Sequence, residues 1–400
     1  CVTASIPEAP LTCFDFWCKA GSSFERNGEE GLAHFLEHMV FKGSKNLEAG
    51  EFDRKIEELG GSSNAATGLD DVHFYVLIPP KFALEALELL LKLVLEPLLL
   101  TEAFETEREV VIEEIAQYKD QPEENVFESL LNNCWGDHPY GRPILGIEQS
   151  LKLNTTEQMK NFHKRLYKPK NLCLAIAGPI PRGIEKFLSK SILSKKQKSI
   201  DTIRFNNSPK LNFNKGYKKI YVDRLESSRF IMCWPLPPAN EQVLITGIDI
   251  AISLLSDGRR SKLVHRLREE LQIVESIEMD INILEQGGLI ILEACCKERK
   301  LELVEKEIHT ILNHIIENEV EEEEFERAKI LVNNGILFSL ETSKQLANIV
   351  GNKVLWARNE QLDQQIKDIK YWNKSKLHKK IFGLMDPKSS NTLIAIPKGS

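Results

Sequence analysis

Apolar residues recur along this chain at two spacings, every three to four residues in long stretches and in short alternating or unbroken runs elsewhere. The run Thr12–Ala20 reads as a strand, followed by a Gly/Ser/Glu turn and a helix over about Gly31–Phe41. A helix over Ala49–Leu59 and a strand pair across Ser62–Pro79 come next. Two long helices are expected at about Lys81–Leu95 and Thr101–Asp120, the second with Val110, Val111 and Ile115 on its buried face. A helical stretch, Asn125–Asn133, leads into the loop Gly136–Gly146. A helix over Thr155–Leu166 follows, then an apolar strand, Asn171–Ala177, expected to end the sheet.

The second half repeats this order. Phe230–Pro235 reads as a strand, Glu241–Leu254 and Lys262–Glu270 as helices, and Glu275–Asp280 with Gly288–Cys296 as paired strands. Long helices are expected over Leu301–Asn318 and Glu322–Lys344. Leu100–Glu105, built around Phe104, has an echo in Glu321–Glu326 around Phe325. A Pro, Asn, Lys and Ser-rich piece from about Lys195 to Lys215 separates the halves, and its Lys-rich start, Lys195–Lys198, reads as a solvated linker. The expectation is therefore two homologous domains, residues 1–200 and 201–400. Grouped strands and helices, rather than strict alternation, predict an α+β class. Each domain would be an α/β sandwich with a mainly antiparallel sheet packed against helices.

Composition narrows the function. With 42% hydrophobic and 28% charged residues the 400-residue chain fits a soluble globular protein of more than one domain. A net charge of −7 argues against a nucleic-acid binder, which needs a basic face. The most apolar run, Ala83–Leu100, is interrupted by Glu85, Glu88, Lys92 and Glu96 and reads as a core helix, not a membrane span. No signal peptide is visible, and an opening at Cys1 is compatible with removal of an upstream segment. Eight scattered cysteines form no C-x-x-C pair. They read as buried free thiols, so a cytoplasmic or equivalent reducing compartment is expected.

The chemistry sits in His34-Phe35-Leu36-Glu37-His38, an H-x-x-E-H run within an expected helix. At about 3.6 residues per turn, positions i and i+4 share a face and i+3 lies beside them. Two neutral imidazoles there suit zinc, and the neighbouring carboxylate can act as a general base. This is the inverzincin order of ligands. The second half has no such run at the matching helix, where Leu254-Ser256-Asp257-Gly258 leads into Arg259-Arg260-Ser261.

A catalytic zinc usually has three protein ligands. The carboxylate-rich helix Glu102–Glu114 is the best place for the third. Glu107 and Glu114, seven apart, lie on nearly one side of it, so one could ligate and the other orient a ligand imidazole. Glu109 and Glu113 are expected to face water. Spacing alone does not choose between Glu107 and Glu114.

His34–His38, continued by Phe41-Lys42-Gly43-Ser44, resembles the M16 metallopeptidases, the family of pitrilysin, insulin-degrading enzyme and the mitochondrial processing peptidase. The stretch Glu105-Thr106-Glu107-Arg108-Glu109-Val110-Val111-Ile112-Glu113-Glu114-Ile115 is similar to that family's second motif. By that resemblance Glu114 is the third zinc ligand and Glu107 the supporting glutamate. Gly60–Thr67 resembles the family's strand beside the metal, and His138–Gly146 its loop in the same half. The match runs in order over roughly 14–178 and more weakly beyond. Its length is that of the short, two-domain branch, which implies the metallohydrolase fold shared by LuxS and the processing peptidase.

The resemblance implies a zinc endopeptidase or oligopeptidase with one Zn2+ per chain, held by His34, His38 and Glu114, with Glu37 as the general base. Peptides or unfolded polypeptides would be cut inside a chamber closed by dimerisation. The small-residue strand Ser62–Thr67 can accept an extended peptide by β-augmentation, with Asn64 and Ala65 as expected contacts. The family's second half usually supplies an Arg and a Tyr seven apart to grip the substrate. Arg268 fits the Arg, but the position seven on is Glu275, and a carboxylate cannot donate as a phenol does. A heterodimer with an M16-like chain carrying that pair is therefore favoured over a homodimer. The alternative is an incomplete or inactive subunit acting as a scaffold or needing a partner chain.

Overall fold

The computed structural model describes residues 1–195, 210–358 and 360–399. Among the described residues, ten strands are β1 Val2–Ser5, β2 Thr12–Cys18, β3 Ser62–Thr67, β4 Val72–Ile78, β5 Leu172–Gly178, β6 Gly216–Val222, β7 Ser228–Leu236, β8 Ser276–Asn282, β9 Gly288–Cys296 and β10 Asn391–Pro397. Helices of the first half are α1 Leu32–Val40, α2 Glu51–Glu58, α3 Ala83–Leu95, α4 Thr101–Lys119, α5 Pro122–Trp135, α6 Glu148–Leu153, α7 Thr156–Leu166, α8 Ile184–Lys190 and α9 Ile192–Lys195. The second half adds α10 Gln242–Ser256, α11 Leu301–Glu317, α12 Glu322–Ser339, α13 Ser343–Leu355, α14 Gln364–Tyr371 and α15 Lys374–Lys380.

The strands form two five-stranded sheets, ordered β1-β5-β2-β4-β3 and β6-β10-β7-β9-β8. In each, the first pair is parallel and the other three are antiparallel. The duplication read in the sequence is thus a duplication of topology, and the fold is the expected mixed α/β class. β5 does not end its sheet, because the short strand β1 pairs parallel outside it.

Two compact units hold these sheets. One comprises residues 1–117, 143–208 and 339–359; the other 118–142, 209–338 and 360–400. The boundary expected at 200/201 falls within 196–209, outside the described residues, as does most of the expected linker. Each unit draws one segment from the far side of that boundary: α13 joins the first, α5 the second.

In the first unit, burial follows coverage. β2 is buried at every position (Thr12–Cys18), since helices pack on one face of the sheet and α13 on the other. Gly351 of α13 lies so close to Trp17 that a Cβ there would sit 2.5 Å from the indole. β4, at the margin of the face that α13 covers, alternates: Val72, Phe74, Val76 and Ile78 enter the core while His73, Tyr75 and Leu77 do not. α3 is buried on nearly all sides, which confirms it as a core helix.

Two long-element readings differ from the structure. The helix expected over Glu322–Lys344 stops at Ser339, and α13 starts anew with Thr342 as its N-cap and Gln345 closing the capping box. The helix expected over Lys262–Glu270 includes a π-helical turn, Val264–Glu270, which carries Arg268. Among the described residues, no helix is long and apolar enough to cross a membrane.

Candidate metal centre

α1 begins at Gly31, in the left-handed region at φ 89°, which favours glycine. Gly146, at φ 77°, packs against Gly31; a Cβ on Gly146 would lie 2.5 Å from the Gly31 Cα. Both glycines are therefore required by close approach. Glu25 caps the helix from the side: its carboxylate accepts from Ala33 N (2.7 Å) and Gly31 N (3.1 Å). Burial pushes the Glu25 carboxyl well up, and those two amides oppose the shift.

Phe35 then turns into the core against Phe104 of α4, with ring centroids 4.6 Å apart. This contact sets α1 beside α4, so that residues next to Phe35 meet residues one and three turns beyond Phe104. His34 Nε2 lies 3.8 Å from Glu114 Oε1, and His38 Nε2 lies 3.3 Å from Glu114 Oε2. One ligand atom from each of His34, His38 and Glu114 lies within 4.8 Å of the others. Tetrahedral zinc with bonds of about 2.0–2.2 Å separates its ligand atoms by roughly 3.3–3.6 Å, so small side-chain adjustments fit the ion. Burial, helped by the adjacent His38, lowers the His34 pKa to about 4, which keeps that imidazole in the neutral, ligating form.

The two imidazoles are held differently. His38 Nδ1 is 3.0 Å from Glu107 Oε1, and the other Glu107 oxygen accepts from Lys42 Nζ at 2.6 Å. Glu107 is only 5% exposed, so Lys42 supplies the charge that balances it. The pair fixes Nδ1 of His38 as the donor and turns Nε2 toward Glu114. His34 Nδ1, by contrast, is buried with no hydrogen-bond partner. We expect Glu107→Gln or Lys42→Met to weaken zinc binding by about 10–100-fold, with Lys42→Arg retaining most of it. Competition against a zinc-binding dye measures this, and unchanged affinity in both variants would remove the assigned role.

Glu37 points toward the sheet, where Thr67 Oγ1 of β3 donates to Glu37 Oε2. Burial raises its pKa, while the Thr67 bond and the nearby His38 and His73 pull it back. The sequence places Thr67 in the strand beside the metal and Lys42 in the run after the helix but gives neither its contact, and it does not single out Glu25; an H-x-x-E-H search cannot see groups that reach a helix from other elements. Glu109 and Glu113 face solvent as expected. Val110 does not join the buried face with Val111 and Ile115; it is 48% exposed, because the inner side of α4 is occupied by Phe104, Glu107 and Val111.

Asn64 is exposed on edge strand β3, its Oδ1 accepting from Ala65 N, and Ala65 is half-buried on the helix side. Arg268 belongs to the other unit and pairs with Glu269 at 2.9 Å. Glu275 accepts from Ser227 Oγ at 2.8 Å. All eight cysteines are free, and seven are buried.

Comparison with known proteins places the chain in a family. A family model described as insulinase, peptidase family M16, matches residues 1–148, and a model for the M16 inactive domain matches residues 154–332. A protein of Rickettsia felis named an uncharacterized zinc protease is 27% identical over 344 residues, spanning 85% of this chain and 81% of that one. The zinc protease PqqE of Helicobacter pylori is 26% identical, covering 84% of this chain and 76% of its own. Among solved structures, a protease from Helicobacter pylori superposes with a TM-score of 0.89 at 24% identity over 99% of this chain and 96% of that one. An M16-like peptidase from Alicyclobacillus acidocaldarius gives 0.87 at 19% identity, covering 99% and 95%. These two share the fold.

Proposed function

Because the chain belongs to the M16 family of zinc proteases, with both domains of the short architecture matched, we propose that it is a zinc-dependent endopeptidase acting on peptides or unfolded polypeptides. The observation that carries this reading is the convergence of His34, His38 and Glu114, with Glu37 alongside but outside the ligand set. A structural zinc site is usually rich in cysteine and closed; this one has no cysteine and offers three ligands.

When bound, zinc supplies Lewis acidity to the scissile carbonyl and to the attacking water. Glu37 accepts the water proton and returns it to the leaving amine nitrogen. The upward push that burial gives its pKa suits that exchange, since a more basic carboxylate takes a proton from water more readily. Thr67 holds one Glu37 oxygen and leaves the other for water. The edge of β3 takes the peptide as an added strand, which sets its backbone alongside α1.

The chain works as one half of a closed chamber whose other half is an M16-like chain carrying the Arg/Tyr pair. Support comes from Glu275, which stands where the family places the tyrosine and is engaged by Ser227. The same observation favours a second reading, a subunit inactive by itself. Zinc removal is the deciding experiment. Cleavage of an unfolded peptide should stop with a chelator and return with added zinc; cleavage that survives complete zinc removal overturns the proposal. Full-rate cleavage by the chain alone as a homodimer would overturn the partner requirement.

A further inference from the structure

α13 covers β1, β5 and β2 and ends its coverage at β4, leaving a strip of the sheet open beside the β3 edge. On this face β3 carries only Ser62, Asn64 and Ala66, all exposed. Directly across from them β4 presents Leu77, Tyr75 and His73. The floor nearest the edge is therefore low, and the second row is tall.

The tall row is rigid. His73 stacks on Trp17 at 4.2 Å and on Tyr75 at 6.1 Å, with its Nδ1 2.9 Å from Asp15. Lys344, from the first turn of α13, sits 4.2 Å from the centre of the Tyr75 ring and donates to its hydroxyl at 2.8 Å. That leaves Lys344 with two further N–H groups and Tyr75 with its own proton to donate. Asn64 adds a donor, because its Oδ1 is spent on Ala65 N and its Nδ2 is not.

The neighbouring aspartates are turned away from this strip. Asp15 is 1% exposed and turned to His73. Asp71 accepts from Asn352 Nδ2 (3.0 Å) and Trp356 Nε1 (2.9 Å). Asp70 is buried and accepts from Ser23. The surface thus shows donors and positive charge outward and its carboxylates inward.

We propose that the strip formed by Asn64, Tyr75 and Lys344 beside the β3 edge is a subsite for a carboxylate side chain of the extended peptide. The proposal rests on the peptidase reading and narrows its substrate class. A strand added to β3 runs about 4.8 Å from it, and alternate side chains face this strip. A glutamate on such a strand reaches across Asn64 or Ala66 toward Tyr75 and Lys344. A lysine at the same place meets like charge.

The test uses the zinc-loaded Glu37→Gln chain, which holds peptide without cutting it. Labelled peptides, uncharged except for one glutamate moved a position at a time, are compared with their glutamine counterparts by fluorescence anisotropy. At one register the glutamate peptide should bind about 10-fold tighter, the scale of one charge-assisted hydrogen bond. Lys344→Met should bring that ratio close to one, while Lys344→Arg preserves the ratio. Binding and cleavage with no preference at any register, or a preference that survives Lys344→Met, overturns the subsite alone. If the variant binds no peptide and the wild-type chain cuts none, either alone or together with an M16-like partner chain carrying the Arg/Tyr pair, the peptidase reading falls and the subsite with it.

Discussion

Glu37→Gln should lower kcat for peptide hydrolysis by about 10²–10⁴-fold, the usual contribution of a positioned general acid and base, while zinc content stays at one per chain. The two halves of this expectation come from the geometry. Glu37 shares a helix with both histidines yet its carboxylate is engaged by Thr67 rather than by the ligand cluster. Glutamine has the same shape and can accept the same hydrogen bond, so the helix and the ligands are undisturbed. The neutral amide also removes a burial cost, since the Glu37 carboxylate ionises against desolvation. The variant is therefore expected to be at least as stable as the parent. Zinc analysis, thermal melting and single-turnover kinetics on one preparation check this. A variant that keeps more than a tenth of the activity would show that another group moves the proton.

The second large effect is expected at Glu114. Glu114→Ala should reduce zinc affinity by more than the ~10–100-fold expected for Glu107, because a ligand is removed rather than a group that orients one. Its neighbour provides the control. Glu113 has the same chemistry one residue earlier but faces solvent, so Glu113→Ala should leave zinc binding and activity unchanged. Glu114 faces both Nε2 atoms at 3.8 and 3.3 Å. Without it, two imidazoles whose ring centres are 4.7 Å apart remain, and a pair seldom holds a catalytic zinc. Equal zinc affinities for the Glu113 and Glu114 variants would refute the ligand assignment.

What could be read from the sequence follows from how far each interaction reaches. His34, Glu37 and His38 are related by one helix, so their common face is a matter of helical pitch and visible in five letters. The pairing of Glu107 with Glu114 is visible as spacing, but which one faces the two Nε2 atoms depends on where Phe35 meets Phe104, a contact between distant helices. Thr67 and Lys42 reach the site from a strand and from just beyond the helix end, and the runs that contain them do not tell which atoms they meet. The break before α13 was marked: Thr342-Ser343-Lys344-Gln345 has a capping-box form, outweighed by the apolar periodicity around it. The strands β1, β6 and β10 were missed for physical reasons as well. β1 is four residues long, β6 is largely exposed and carries Lys218 and Lys219, and β10 gains its meaning only by pairing with strands far away in the chain.

The contribution of α13 to the first unit sets an order of events during synthesis. Chains emerge from the ribosome N-terminal end first, and domains generally fold as units. The zinc motif emerges early, yet the helix that covers Trp17, Cys173 and their sheet face is encoded by residues 343–355. A nascent chain that has released every zinc ligand still lacks one face of the unit that holds them. The unit that holds these ligands is therefore complete only once residues 343–355 have emerged, and an independently expressed first half would be an unfinished fold.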